Sequence, residues 1–172
     1  MNYQEIEKLK ALMRKYQDFF IRGTKKTWDK QGFMRLFLPF FLAAFMFPIY
    51  VEAQAFHIYG GKNHDVYLGC LNCSKYDTNS IWNSYGDYGS KYSSKSIWNN
   101  YGDYGSTYSN YSPFNVYASY PPVIVDRTGN SYGYFTCNTA NSKSVKFDLA
   151  NIIYKYYNLI RDNVSDWYDE IF

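Results

Sequence analysis

The sequence predicts a mainly β domain: a small antiparallel sheet from two hairpins, bridged by turn-rich 16-residue aromatic repeats and followed by a C-terminal helix. An N-terminal helix and an apolar segment precede it. Three observations carry this expectation. β-prone runs flank turn signals at 56–73 and again at 122–138. A sixteen-residue unit recurs between them, over 74–121. From Phe147 onward the apolar residues switch to three- and four-residue spacing.

At 172 residues the chain has room for one ordinary domain. Aromatics make up 22% and charged residues 19%, the reverse of a disordered, solvating composition. The net charge of +3 is unevenly placed: basic residues dominate 1–55, whereas 56–172 is close to balanced. A polyanion-binding domain needs a clustered basic face, and this one lacks it.

Residues 1–33 read as an amphipathic extension, with Ile6, Leu9, Leu12, Met13, Tyr16, Phe19 and Phe20 near helical spacing. Residues 34–55 have the parts of a secretory signal peptide: Arg35, the apolar run Leu36–Val51, then Ala53-Gln54-Ala55. The run is interrupted by Pro39 and Pro48 and is shorter than the roughly 20 residues of a spanning helix. Cleavage after Ala55 is therefore expected, giving a periplasmic or extracellular protein that begins at Phe56. Two readings of residues 1–33 stand: a cytoplasmic extension before an uncleaved anchor, in contact with the membrane through residues 36–51, or translation that starts at Met34.

Export makes Cys70, Cys73 and Cys137 disulfide candidates. In an extended strand Cys70 and Cys73 would lie about 10 Å apart, so their pairing requires a turn at Leu71-Asn72. Otherwise Cys137 pairs with one of them. A redox C-x-x-C should open a helix, and the turn-like "SKYDTNS" follows instead.

Phe56–Tyr59 and Val66–Leu71 surround "GGKNHD"; Val123–Val125 and Tyr132–Cys137 surround "DRTGN", where Gly129-Asn130 tolerates positive φ. Between them lie three copies, 74–89, 90–105 and 106–121, sharing S-x-Y-x-x-x-S-[IP]-[WF]-N-x-Y. Twelve of sixteen positions match between 80–95 and 96–111, too regular for low-complexity drift. The third copy loses its glycines and ends in Pro121-Pro122, as a capping copy does. In the tail, 145–172, Leu149, Ile152, Ile153, Tyr156, Ile160, Val164, Trp167 and Ile171 share one helical face, with Ser144 or Asp148 placed to cap its start.

The candidate site residues are Trp82, Asn83, Tyr85, Trp98, Asn99, Tyr101, Phe114, Asn115 and Tyr117. As an array, their rings would stack on sugar faces while the amides bond hydroxyls. As a ladder, Trp and Asn would form the interior and only some tyrosines would reach water. Aromatic residues at fixed repeat positions are more often core than site, which favours the ladder.

A nucleic-acid groove is excluded by the scarcity of basic residues over 74–120. Asp77, Asp87 and Asp103 suggest calcium, but Asp77 becomes Ser93 and Ser109 in later copies, so neither metal nor cofactor is expected. His57 and His64 have no nucleophile or acid at informative spacing, and no catalytic residue is assigned.

The segments "YLGCLNCSKYD", "SIWNxYGxYGSxYS" (twice), "SPFNVYAS" and "PPVIVDRTGNSYGYFT" span Val66 to Asn138. This run resembles a group of small exported bacterial proteins of uncharacterised activity. The resemblance implies export and a shared repeat frame, and carries over no ligand or catalytic residue. The expected function is an exported non-catalytic module contacting protein or glycan of the cell envelope. A secreted hydrolase and a membrane-anchored envelope protein are the alternatives.

Overall fold

A computed structural model describes residues 54–172; the expectations for 1–33 and for 34–53 lie outside the described residues. Four strands form one sheet in the order β2-β1-β3-β4: β1 Phe56–Gly60, β2 Val66–Cys70, β3 Val123–Asp126 and β4 Ser131–Tyr134. All three pairings are antiparallel. The two hairpins join through β1 and β3, with Ile58 opposite Ile124. Both side chains are fully buried. Of the two residues expected to take positive φ in the second turn, only Gly129 does so (φ 86).

The expected single tail helix is two: α1 Asp148–Ile160 and α2 Val164–Ile171. Asn163 leaves helical geometry at φ −144 and ψ 61 and breaks them apart. Neither expected cap operates. Ser144 Oγ donates instead to the Thr136 carbonyl at 3.1 Å, and Asp148 is already inside the first turn behind Phe147. Helical residues outnumber strand residues, and the repeat region adds turns rather than strands, so "mainly β" overstates the sheet.

Between the hairpins the chain is a relay of tight turns. The N–H groups of Asp77, Ser80, Asn83 and Gly86 each donate to the carbonyl three residues back, and Ser90 donates to Gly86 four back. Four three-residue steps and one four-residue step make sixteen residues. The second copy repeats them from Ser90 to Ser106, and the third continues from Ser106 to Ala118. Successive copies stack: the rings of Trp82 and Trp98 are 5.7 Å apart and those of Trp98 and Phe114 6.1 Å. Gly89 and Gly105 sit where this stacking leaves no room. A Cβ on either would lie 2.2 Å from the carbonyl oxygen of Asn83 or Asn99.

The ladder is continuous with the sheet. Cys70 of β2 bridges in parallel to Ser80, with Cys70 N donating to Asn79 O (2.6 Å) and Ile81 N to Cys70 O (3.1 Å). Sixty-four residues later, a span of four repeat lengths, the same arrangement recurs. Tyr134 bridges in parallel to Ser144, with Tyr134 N to Lys143 O (2.8 Å) and Val145 N to Tyr134 O (2.9 Å). Gly69 and Gly133 both hold positive φ, 113 and 117, where the incoming chain crosses the hairpin. The three-residue turns from Ser74 and Asp77 are matched by those from Asn138 and Asn141. The domain therefore contains one hairpin-and-turn unit twice, over 56–81 and 122–145. The first copy runs on into the ladder and the second into α1.

This correspondence accounts for the cysteines. Cys70 and Cys73 form the disulfide, their Cα atoms 5.5 Å apart across the turn at Leu71-Asn72. Cys137 is not paired, contrary to its place among the candidates. It occupies in the second unit the position of Cys73 in the first, and Tyr134 stands where Cys70 would be.

Two outcomes follow. The variant Tyr134→Cys is expected to form a second disulfide with Cys137, read as loss of the free thiol by mass spectrometry under non-reducing conditions. A persisting pair of free thiols would contradict the duplicated geometry. Gly105→Ala is expected to cost about 2–3 kcal/mol in denaturant unfolding, because the clash is with backbone. Gly129→Ala, with nothing within 4 Å, should cost only the about 1–2 kcal/mol of its positive φ.

Candidate functional site

In each copy the residue that starts a turn also closes it with its own side chain. The hydroxyls of Ser80, Ser96 and Ser112 accept from the backbone N–H of Trp82, Trp98 and Phe114 at 3.1–3.2 Å. The carboxamide oxygens of Asn83, Asn99 and Asn115 accept from the N–H of Tyr85, Tyr101 and Tyr117 at 3.2, 3.0 and 2.9 Å. The same asparagines donate through Nδ2 to the carbonyls of Asp77, Ser93 and Ser109 at 3.0–3.2 Å. Ser and Asn favour such turns because a short polar side chain reaches the N–H two residues on. Both ends of each amide are committed to the turn, so these asparagines are scaffold.

The candidate aromatic residues divide by burial. Trp82 and Trp98 are completely buried and Phe114 is 3% exposed. The indole N–H of Trp82 donates to Leu71 O at 2.7 Å, and that of Trp98 to Ile81 O at 2.6 Å. A ligand therefore cannot stack on them. The helices close this column from outside: Tyr157 stacks on Phe114 at 4.4 Å, while Tyr168 and Phe172 lie 6.1 and 5.9 Å from Trp82. Lys75 forms an ion pair with Asp169, joining the first copy to α2.

Tyr85, Tyr101 and Tyr117 face water, exposed by 99, 97 and 87%. A second set, Tyr76, Tyr92 and Tyr108, is exposed by 83, 82 and 92%. Each set recurs every sixteen residues, so stacking of the copies arranges them as two columns. The second set went unassigned in the sequence because Tyr76, Tyr92 and Tyr108 have no Trp-Asn pair beside them. Their position two residues after Ser74, Ser90 and Ser106 was the available signal. Lys75 and Lys91 lie over the rings of Tyr76 and Tyr92, each 5.5 Å from the centroid. By contrast Tyr88 packs edge-on against Tyr67 at 5.0 Å, and Tyr104 is partly buried against the core.

The remaining polar groups are structural. Asp126, 4% exposed, accepts from Thr128 N and Oγ1, Asn130 N and Nδ2, and Gln54 Nε2, all within 2.7–2.9 Å. The Thr128 and Asn130 side chains hold its carboxyl well below the usual carboxylate range. His64 Nε2 donates to Pro121 O at 3.0 Å, fastening the first hairpin turn to the end of the ladder. His57 bonds Tyr67 OH at 2.9 Å; burial lowers the imidazole pKa and raises that of the phenol. Among the described residues no group of three or more His, Cys, Asp or Glu is placed to hold a metal ion. Among the described residues, likewise, no helix is long and apolar enough to cross a membrane.

A paired substitution separates scaffold from surface. Trp98→Ala is expected to lose about 3–5 kcal/mol, enough to abolish cooperative unfolding in a domain of this size. Tyr101→Ala should change stability by no more than about 0.5 kcal/mol. Thermal denaturation followed by near-UV circular dichroism measures both. Compared with protein-family models, curated proteins and solved structures, the chain has no match.

Proposed function

We propose that the protein is an exported, non-catalytic module that binds a neutral glycan of the cell envelope through its outward tyrosine columns. The observation that carries this reading is the exposure of six tyrosines, 82–99%, at one position per copy in each column. Large rings presented to water at a fixed interval form an extended aromatic surface of the kind that marks a binding face. Successive copies place their core rings 5.7 and 6.1 Å apart, and each column carries one tyrosine per copy. Extended β-linked polysaccharides advance by a similar distance per sugar. The apolar C–H face of a pyranose stacks on a phenol ring, and the phenol hydroxyl bonds to sugar hydroxyls. Lys75 and Lys91 serve as flanking donors over Tyr76 and Tyr92.

Export is supported by the signal-like segment of residues 34–55 and by the Cys70–Cys73 disulfide, which belongs in an oxidising compartment. A rigid turn ladder capped by a hairpin unit at each end is the scaffold this reading requires. It keeps the columns straight and spends the Trp and Asn residues on rigidity.

The test is retention of the full chain, in a non-glycosidic detergent, on insoluble cellulose, chitin and peptidoglycan. Replacing Tyr85, Tyr101 and Tyr117 together by Ala is expected to weaken retention at least tenfold, about 1.4 kcal/mol, with unchanged thermal stability. Equal retention of the triple variant and the parent would remove the tyrosine column from the site.

A further inference from the structure

At the junction of α1 and α2 a cleft of about 210 Å³ opens against the first two copies of the repeat, between Ser84 and the Gly89–Tyr92 turn. Its other wall is Arg161–Asp166, the link between the helices and the first turn of α2. Tyr92 belongs at once to this lining and to an exposed column, and Ser84 directly precedes Tyr85 of the other.

The lining carries two basic and two acidic side chains. Lys91 lines the repeat wall, and Arg161, Asp162 and Asp166 line the helix wall. An anion would meet the two carboxylates and a cation the two basic groups. A neutral molecule carrying many hydroxyls meets acceptors and donors together. Asp162 and Asp166 accept from adjacent hydroxyls, and Lys91 donates to ring or glycosidic oxygens. The hydroxyls of Ser84, Ser90 and Ser165 do either. The volume falls below the roughly 300–1,000 Å³ of drug-sized pockets, which limits the occupant to about one pyranose ring.

Arg161 makes the wall firm. Its guanidinium donates to Asn100 Oδ1 and to Gly105 O, and lies 5.1 Å from the centre of the Tyr157 ring. Burial lowers its pKa, and its Nε is enclosed without an acceptor. On the same wall, α2 starts at Val164 with no side-chain cap, so its first N–H groups rely on solvent or an occupant. Helix junction and repeat thus present donors and acceptors around a space of one sugar, with an aromatic plate at its mouth.

We infer that this cleft is a subsite for a single neutral pyranose unit, holding one residue or one chain end of the glycan whose neighbours lie on the tyrosine columns. The inference rests on the glycan reading above and adds to it a defined pocket with its own residues. Tyr92 is the shared plate. Asp162, Asp166 and Lys91 select uncharged sugars over uronic acids and amino sugars bearing a free amine.

The experiment titrates isotope-labelled full chain with cellotetraose, with the N-acetylglucosamine tetramer and with a galacturonate tetramer, following amide shifts. Saturable shifts with either neutral tetramer at Ser84, Gly89–Tyr92 and Asp162–Asp166 support the subsite. A single variant, Ser165→Trp, sets an indole into the lining and should weaken that tetramer at least tenfold. Ser90→Thr adds one methyl group and guards against misfolding of the first variant; it should weaken binding by a smaller factor with intact dispersion. Tetramers that shift only Tyr101 and Tyr117 would overturn the subsite while leaving the columns. Stronger binding of the galacturonate tetramer would overturn the assignment to uncharged sugars. Absence of shifts with every tetramer would overturn the subsite, and if retention on all three insoluble polymers also failed, the glycan reading would fall with it.

Discussion

The structure depends on one small interaction repeated every three residues: a Ser, Asp or Asn side chain accepting the N–H two residues ahead of it. From Ser74 to Asn115 this bond recurs at nearly every turn start, lapsing only at the Gly86 and Gly102 positions. A chain without long strands or helices must satisfy its buried backbone groups locally. These side chains do so one turn at a time, and the closed turns then stack. Each bond contributes only about 1 kcal/mol, and together they fix a coil shape regular enough for Trp82, Trp98 and Phe114 to meet.

Stacking alone leaves two problems: the ends of the column and its outer side. The hairpin units close the ends. In each, a positive-φ glycine, Gly69 or Gly133, lets the crossing chain approach the hairpin backbone. The helices close the side. Tyr157 covers Phe114, and Tyr168 and Phe172 cover Trp82. Ile153, Ile160 and Val164 complete the same core. The break at Asn163 turns the helical chain over the middle of the ladder, and that bend creates the cleft beside Arg161.

Much of the plan was legible beforehand. The hairpins announced themselves by β-prone runs around turn signals, and the repeat by its register. The helix face was also readable, though the interruption at 161–163 was not. Asp162 and Asn163 are tolerated in a helix, and only packing against two differently placed parts of the ladder decides that the chain bends there. The repeat frame grouped Trp, Asn and Tyr as one candidate set and favoured an interior Trp and Asn; the structure buries Trp82, Trp98 and Phe114 and leaves Tyr85, Tyr101 and Tyr117 in water. Trp82 and Tyr85 begin and end one three-residue step, yet one ring is enclosed by the helices and the other is in water, so the Trp and the Tyr of one copy cannot serve one surface.

By itself the sequence determined the sixteen-residue period, the four strands and the turn chemistry, because each is set by residues within a few positions of one another. It also determined that tyrosines recur at a fixed interval. Tertiary structure alone decided which of those rings are core and which are surface, that Cys70 pairs with Cys73 while Cys137 has no counterpart, and that the second hairpin repeats the first. The physical reason is that burial, pairing and duplication of geometry are properties of distant segments in contact. Gly69 against Ile81, and Gly133 against the Lys143 carbonyl, are near neighbours only once the chain has coiled back on its own sheet.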